Sequence, residues 1–168
     1  MTNSLVIYYS RSGQNYVNGD IVDLPLGNTE IAVNYIKEFT DADLFKLETV
    51  EEYPIDYMET TEVAQRELDK NVRPALKEEL ENIDNYDIIY IASPIWWGTL
   101  PRAFFTQLEK LDFSGKIVKT LVTHEGSGLG STMKDVKKLC AGADIREGLA
   151  IHGSEVKDSK NKIEKWVQ

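Results

Sequence analysis

The sequence contains one cysteine, Cys140, in 168 residues, which excludes an intrachain disulfide framework and any zinc site built on thiolates. Basic residues are also in short supply: 19 Lys and Arg stand against 28 Asp and Glu, for a formal net charge of -9. Such a surface repels phosphate backbones and anionic lipid, so neither nucleic acid nor a membrane is an expected partner, while the charge suits cationic partners and equally suits simple solubility. No apolar run approaches the roughly 20 residues of a membrane-spanning helix. The chain opens on a strand pattern with no signal-peptide anatomy, so the expected location is the cytoplasm. Several motifs are missing too. There is no G-x-x-x-x-G-K-[ST] phosphate loop, no G-x-S-x-G elbow, and no His/Asp/Glu spacing that suggests a metal. Cys140 lies on an apolar helical stripe and reads as a small buried hydrophobe rather than a nucleophile.

What is present is a soluble composition at single-domain length, and residues 1–168 are expected to form one domain without repeat or linker. Apolar runs of strand length recur at 4–10, 42–50, 86–93, 116–124 and 144–153. The first, third and fourth are rich in Val, Ile, Leu and Tyr, as strands covered on both faces of a parallel sheet must be; the second and fifth alternate, as edge strands do. Between them lie helical stripes. Ile31, Ala32, Tyr35, Ile36 and Phe39 form one behind an Asn28 or Thr29 cap, and Leu100, Phe104, Phe105, Leu108 and Leu111 another. An acidic segment over 59–84 carries Val63, Leu68, Leu76, Leu80 and Ile83, with Pro74 starting a second helical half. Met133, Val136, Leu139 and Cys140 make a fourth stripe, and a short last helix follows Asp158 or Ser159. This alternation predicts an α/β domain: a doubly wound parallel sheet with helices on both faces.

In such a sheet ligands sit outside the carboxyl ends of the strands, where the winding reverses. Three loops fall there. After the first strand come Ser10, Arg11, Ser12 and Gly13, and then, after an interval, Gly27, Asn28 and Thr29 before the first helix. Hydroxyl and amide residues around glycines at a helix start suit an anion, and equally suit simple capping. After the third strand, Pro94-Ile95-Trp96-Trp97-Gly98-Thr99 places two tryptophans in a surface loop, where a flat ligand would explain them. After the fourth, Thr123 to Thr132 carries glycines at 126, 128 and 130, which let backbone approach a ligand. Its G-S-G-L-G-S is near the dinucleotide fingerprint, but Ser131 holds the third glycine's place, and Glu147 lies inside the following strand rather than at its carboxyl end. A receiver-like signalling module would need aspartates at the ends of strands 1 and 3, where Ser10 and Ser93 stand.

Taken in order, S-x-[ST]-G with G-N-T-E, then P-I-W-W-G-T-L-P, then T-H-E-G-S-G-L-G resemble the flavodoxin-like family across essentially the whole chain. The resemblance implies a five-stranded sheet of order 2-1-3-4-5, of the short type with an uninterrupted fifth strand, and FMN at its carboxyl edge. It implies Ser10, Arg11, Ser12, Asn28 and Thr29 around the phosphate. Pro94, Ile95, Trp96, Trp97, Gly98 and Thr99 would follow the ribityl chain and ring, and His124, Glu125, Gly126, Ser127 and Gly128 the pyrimidine edge. Tyr16 and the Tyr53, Asp56, Tyr57 group are further candidates for its walls. The departure from the family is an insertion over about 14–26, inside the phosphate loop. Electron transfer through FMN is then the expected function, with redox proteins or a small-molecule acceptor as partners and no catalytic side chain of the protein's own. The alternative is an FMN-dependent NAD(P)H:quinone-type reductase.

Overall fold

A computed structural model describes residues 3–168; the first two residues of the expected 1–168 domain lie outside the described ones. Five elements carry the parallel sheet: β1 (Ser4–Tyr8), β4 (Asp43–Lys46), β5 (Ile88–Pro94), β6 (Ile117–His124) and a final strand in two pieces, β7 (Asp144–Ile145) and β8 (Leu149–His152). The order is β4-β1-β5-β6, with β7 and β8 both pairing β6, and every pairing is parallel. This is the 2-1-3-4-5 order with one difference. The fifth strand is interrupted: Ile145 to Leu149 advances four residues while its partners Val118 to Leu121 advance three. One extra residue makes a bulge, not an inserted loop. At the bulge a Cβ on Gly148 would lie 2.8 Å from Met133 Sδ.

Helices α1 (Asn28–Thr40) and α5 (Lys160–Val167), with a 3-10 turn over Gly153–Asp158, cover one face; α2 (Tyr57–Asp69), α3 (Arg102–Leu108) and α4 (Thr132–Leu139) belong to the other. Val6, Tyr8, Tyr90 and Leu121 point to the first layer and Leu5, Ile7, Ile89, Ile91 and Val118 to the second, the alternation a two-sided sheet requires. Cys140 is buried in the second layer, and burial pushes its thiol up to about 12.

Two expectations are corrected. The segment after Pro74 is not helical: Val50 N–H donates to Ala75 O and Lys77 N–H to Glu48 O, an extended antiparallel bridge. Leu76 and Ile83 are buried from that extended chain, so helical spacing arose there without a helix. The cap of α1 is Gly27 rather than Asn28 or Thr29. The insertion, meanwhile, is a hairpin of β2 (Gly13–Val17) and β3 (Asp20–Leu24) turning at Asn18-Gly19, both at positive φ (51° and 89°), as a two-residue type I′ connection requires.

Candidate functional site

The hairpin leaves and rejoins the sheet edge at one place. A Cβ on Gly27 would collide with Ser10 Oγ and the Arg11 carbonyl, so only glycine lets the returning chain press against the end of β1. The two halves of the first loop therefore act as one, and the hairpin projects from the seam. Ser10 is buried beneath it and its Oγ accepts the Glu30 N–H at 3.1 Å, while Ile31 N–H donates to Gly27 O. Among the described residues, the amides of Asn28 and Thr29 have no acceptor. They stand at the positive end of a 13-residue helix, beside a cleft.

That cleft, at the carboxyl ends of β1, β5 and β6, is lined from the first loop and hairpin by Arg11, Asn15, Tyr16, Asn28 and Thr29, and from the second loop by Pro94, Ile95 and Trp96. Thr123, His124, Glu125 and Ser127 line it from the third loop, with Tyr57 and Gly153 completing the wall. Of the residues expected around the phosphate, the ring and its pyrimidine edge, nine thus converge, and of the further wall candidates Tyr16 and Tyr57 do. Others take different places. Ser12 is exposed outside the cleft; Thr99 is buried, its hydroxyl bonded to the Asp135 carboxylate; Gly126 and Gly128 turn the third loop without lining the cavity. Gly98 accepts from Ser131 N–H through its carbonyl, pinning the second loop to the third at Gly130, where a side chain could not fit.

The two tryptophans divide their roles. Trp96 is half-buried and meets Tyr9 and Tyr53 edge-on, at centroid distances of 5.1 and 4.9 Å. Trp97 is 50% exposed, sits at φ 54°, and donates Nε1–H to Thr61 O at 2.9 Å. It lines a neighbouring lobe rather than the cleft itself.

Polar contacts organise the cleft's rim. Thr29 Oγ1 and Thr123 Oγ1 are 2.7 Å apart, tying the helix start to the end of β6. Asn18 N–H, at the hairpin tip, donates to Glu125 Oε1 at 2.8 Å, so the hairpin bridges to the third loop. Arg11 is committed to backbone, donating to the carbonyls of Gln14, Pro54 and Ile55. His124 Nδ1 accepts Gly126 N–H at 2.9 Å, which places the neutral ring's proton on Nε2; desolvation, and then the facing His152, hold this imidazole below its ordinary value. Burial, and then the charge of Glu125, raise the Tyr57 phenol.

Thr123 and Gly153 were not expected at the site. Thr123 is the last residue but one of β6 and Gly153 directly follows β8, and a Cβ on Gly153 would strike Glu125 and Asn28, so position at a strand's carboxyl end was the signal that could have found them. The hairpin too had a signal, Asn-Gly between alternating runs.

The flavodoxin family model matches residues 24–168. The chain belongs to the flavodoxin family. The match begins at the last residue of β3, so β1 and nearly all of the hairpin precede it. Among solved structures, a Bacteroides uniformis protein assigned as a flavoprotein is 25% identical with a TM-score of 0.75, over 99% of this chain and 97% of its own. A Bacteroides eggerthii protein assigned likewise is 25% identical with a TM-score of 0.72, over 97% and 98%. A Lactobacillus acidophilus flavoprotein, solved in complex with FMN, shares the fold at 24% identity and a TM-score of 0.66, over all of both chains. No curated protein matches the sequence. Among the described residues no helix is long and apolar enough to cross a membrane, and no cluster of His, Cys, Asp and Glu could hold a metal.

Proposed function

We propose that the cleft binds FMN and that this flavodoxin-family protein moves electrons through it. The observation that carries the reading is the seam at Gly27, which presents the two free amides of α1 to a cleft whose far side is built from Trp96, His124 and Glu125. The donor set fits the group. Asn28, Thr29 and the helix end would hold a dianionic phosphate through charge-assisted bonds, each worth about 1.5 to 3 kcal/mol. Ile95 and Trp96 would border the ring, and the third loop its polar edge. The FMN-bound Lactobacillus protein of the same fold is consistent with this assignment. When bound, FMN supplies one- and two-electron chemistry; the protein's residues hold it, exclude water and tune its electronics.

Two roles share this site: a carrier passing electrons between proteins, and a reductase taking them from NAD(P)H to a small acceptor. The hairpin favours the second, because it adds a wall at the cleft that a carrier exposing its flavin edge does not need. The deciding experiment is a visible-spectrum titration with FMN followed by anaerobic mixing with NADH or NADPH. Saturable binding is expected, with Asn28→Ala weaker by about tenfold or more. No binding at micromolar FMN would end both readings. Rapid bleaching by a nicotinamide selects the reductase, whereas bleaching only by a partner reductase selects the carrier.

A further inference from the structure

Trp96 lines the cofactor cleft and also packs into a buried aromatic cluster. Its backbone is clamped, Trp96 N–H donating to Thr99 O at 2.8 Å and Thr99 N–H to Trp96 O at 3.3 Å. Against it the Tyr53 ring stands edge-on at 4.9 Å and the buried Tyr9 ring at 5.1 Å, with 6.4 Å between the two tyrosines. Three oxidisable rings are thus held together, and one of them borders the cleft. Tyr53 also lines a second opening, a groove of about 510 Å³ between the chain at 50–54 and α2, which shares no residue with the cleft.

The Tyr53 phenol has a place to put its proton. Its O–H donates to Glu67 Oε1 at 2.7 Å, both side chains being half-buried and both lining the groove. Arg102, a cation whose charge reaches that carboxylate, gives its Nε and Nη2 to Val72 and Asn71 instead. Burial raises the Glu67 carboxyl and so strengthens it as a proton acceptor. The acceptor matters because a phenol that loses an electron becomes a strong acid, and its cation is costly inside a protein unless the proton can leave. Tyr16 and Tyr57, which line the cleft themselves, bond no carboxylate through their hydroxyls among the described residues. Tyr86, which does bond one, on Asp43, stands at the amino ends of β4 and β5.

We propose that Trp96, Tyr53 and Glu67 form a relay that carries oxidising equivalents out of the cofactor cleft to the groove beside α2; that they arise at a flavin rests on the FMN reading above. A one-electron oxidant in the cleft, photoexcited FMN or an oxygen radical made there, takes one electron from the Trp96 indole. That indole recovers an electron from Tyr53, whose O–H bond breaks as the proton passes to the Glu67 carboxylate. Trp96 is then restored, Tyr53 is a neutral phenoxyl radical and Glu67 a neutral acid. At the groove a small hydrogen-atom donor of the ascorbate or thiol class re-forms the phenol, and Glu67 returns its proton to water.

The first arm of the test needs no flavin. With Trp97→Phe and Trp166→Phe in place, Trp96 is the one tryptophan left of three, and azidyl radicals from pulse radiolysis oxidise it. A first-order, concentration-independent decay of the indole radical with a matching rise of phenoxyl absorbance is expected, slower in heavy water. Tyr53→Phe keeps the ring contact and Glu67→Gln keeps a hydrogen-bond acceptor, yet each should slow the transfer at least about tenfold. Absence of that transfer before either change overturns the proposal, as does an unchanged rate after either one. The second arm excites bound FMN with a light flash. The same phenoxyl rise is expected, with a lifetime shortened by added ascorbate, and its absence with FMN bound also overturns the proposal. If the first arm succeeds and FMN does not bind, the relay stands and the flavin reading alone fails.

Discussion

His124 shows how much a single side chain can set at this rim. Its ring is held below the ordinary 6.5 by burial and by His152, and its Nδ1 accepts a third-loop amide that a protonated ring could not satisfy. A depressed folded-state value means that the unfolded chain takes the proton more readily. The stabilisation is therefore complete above about 6.5 and is lost as pH falls through that value toward the lower folded one. Urea midpoints measured at about pH 8 and about pH 5.5 should drop further for the parent than for His124→Gln; equal drops would show that the ring does not contribute. At this scale the sequence was readable where chemistry and position coincide, as at Asn28, Thr29 and His124. It was not readable at Trp96 and Trp97, because adjacent identical residues carry nothing to say which one packs on Tyr9 and Tyr53 and which faces outward.

The hairpin is the element that sets this chain apart. Its ends meet at the Gly27 seam, β3 is largely exposed and β2 half-buried, and its ties to the rest run through Gln14, Asn15, Asn18 and the stack of Tyr16 on Tyr57. Replacing residues 13–26 by a short glycine link should therefore preserve a cooperative unfolding transition, at a loss of about 1 to 3 kcal/mol for those hydrogen bonds, and should weaken FMN binding, because Asn15 and Tyr16 leave the cleft wall. Collapse of the transition in thermal denaturation would show instead that the sheet edge depends on the hairpin. The insertion's position was legible because two recognisable half-motifs flanked it. Its shape was overlooked although Asn18-Gly19 encodes a two-residue turn. The opposite error occurred over 74–84, where Leu76, Leu80 and Ile83 keep helical spacing in a chain that pairs with Glu48 to Val50. Periodicity reports which residues face the core, and an extended segment crossing a helix layer can satisfy it as well.

For the whole molecule, the doubly wound parallel sheet followed from the alternation of runs, since few topologies satisfy right-handed crossovers, whereas its strand order came only with the family resemblance. The bulge in the last strand did not, because it depends on Gly148 fitting against Leu129 and Met133 from a distant loop and helix. Net charge acts at this scale as well. With -9 overall, electron transfer from the FMN-loaded protein to a basic cytochrome should slow as ionic strength rises from about 0.01 to 0.5 M, because screening shortens the reach of the attraction. A flat salt profile in stopped-flow measurements would exclude electrostatic steering. The bridge from Asn18 to Glu125 ties the hairpin tip to the third loop, which lines the cleft. A ligand whose path ran beneath it would first have to part that bond. If the bridge re-forms equally with the cleft full or empty, it slows arrival and departure by the same factor, leaving affinity unchanged while lengthening the stay of whatever is inside.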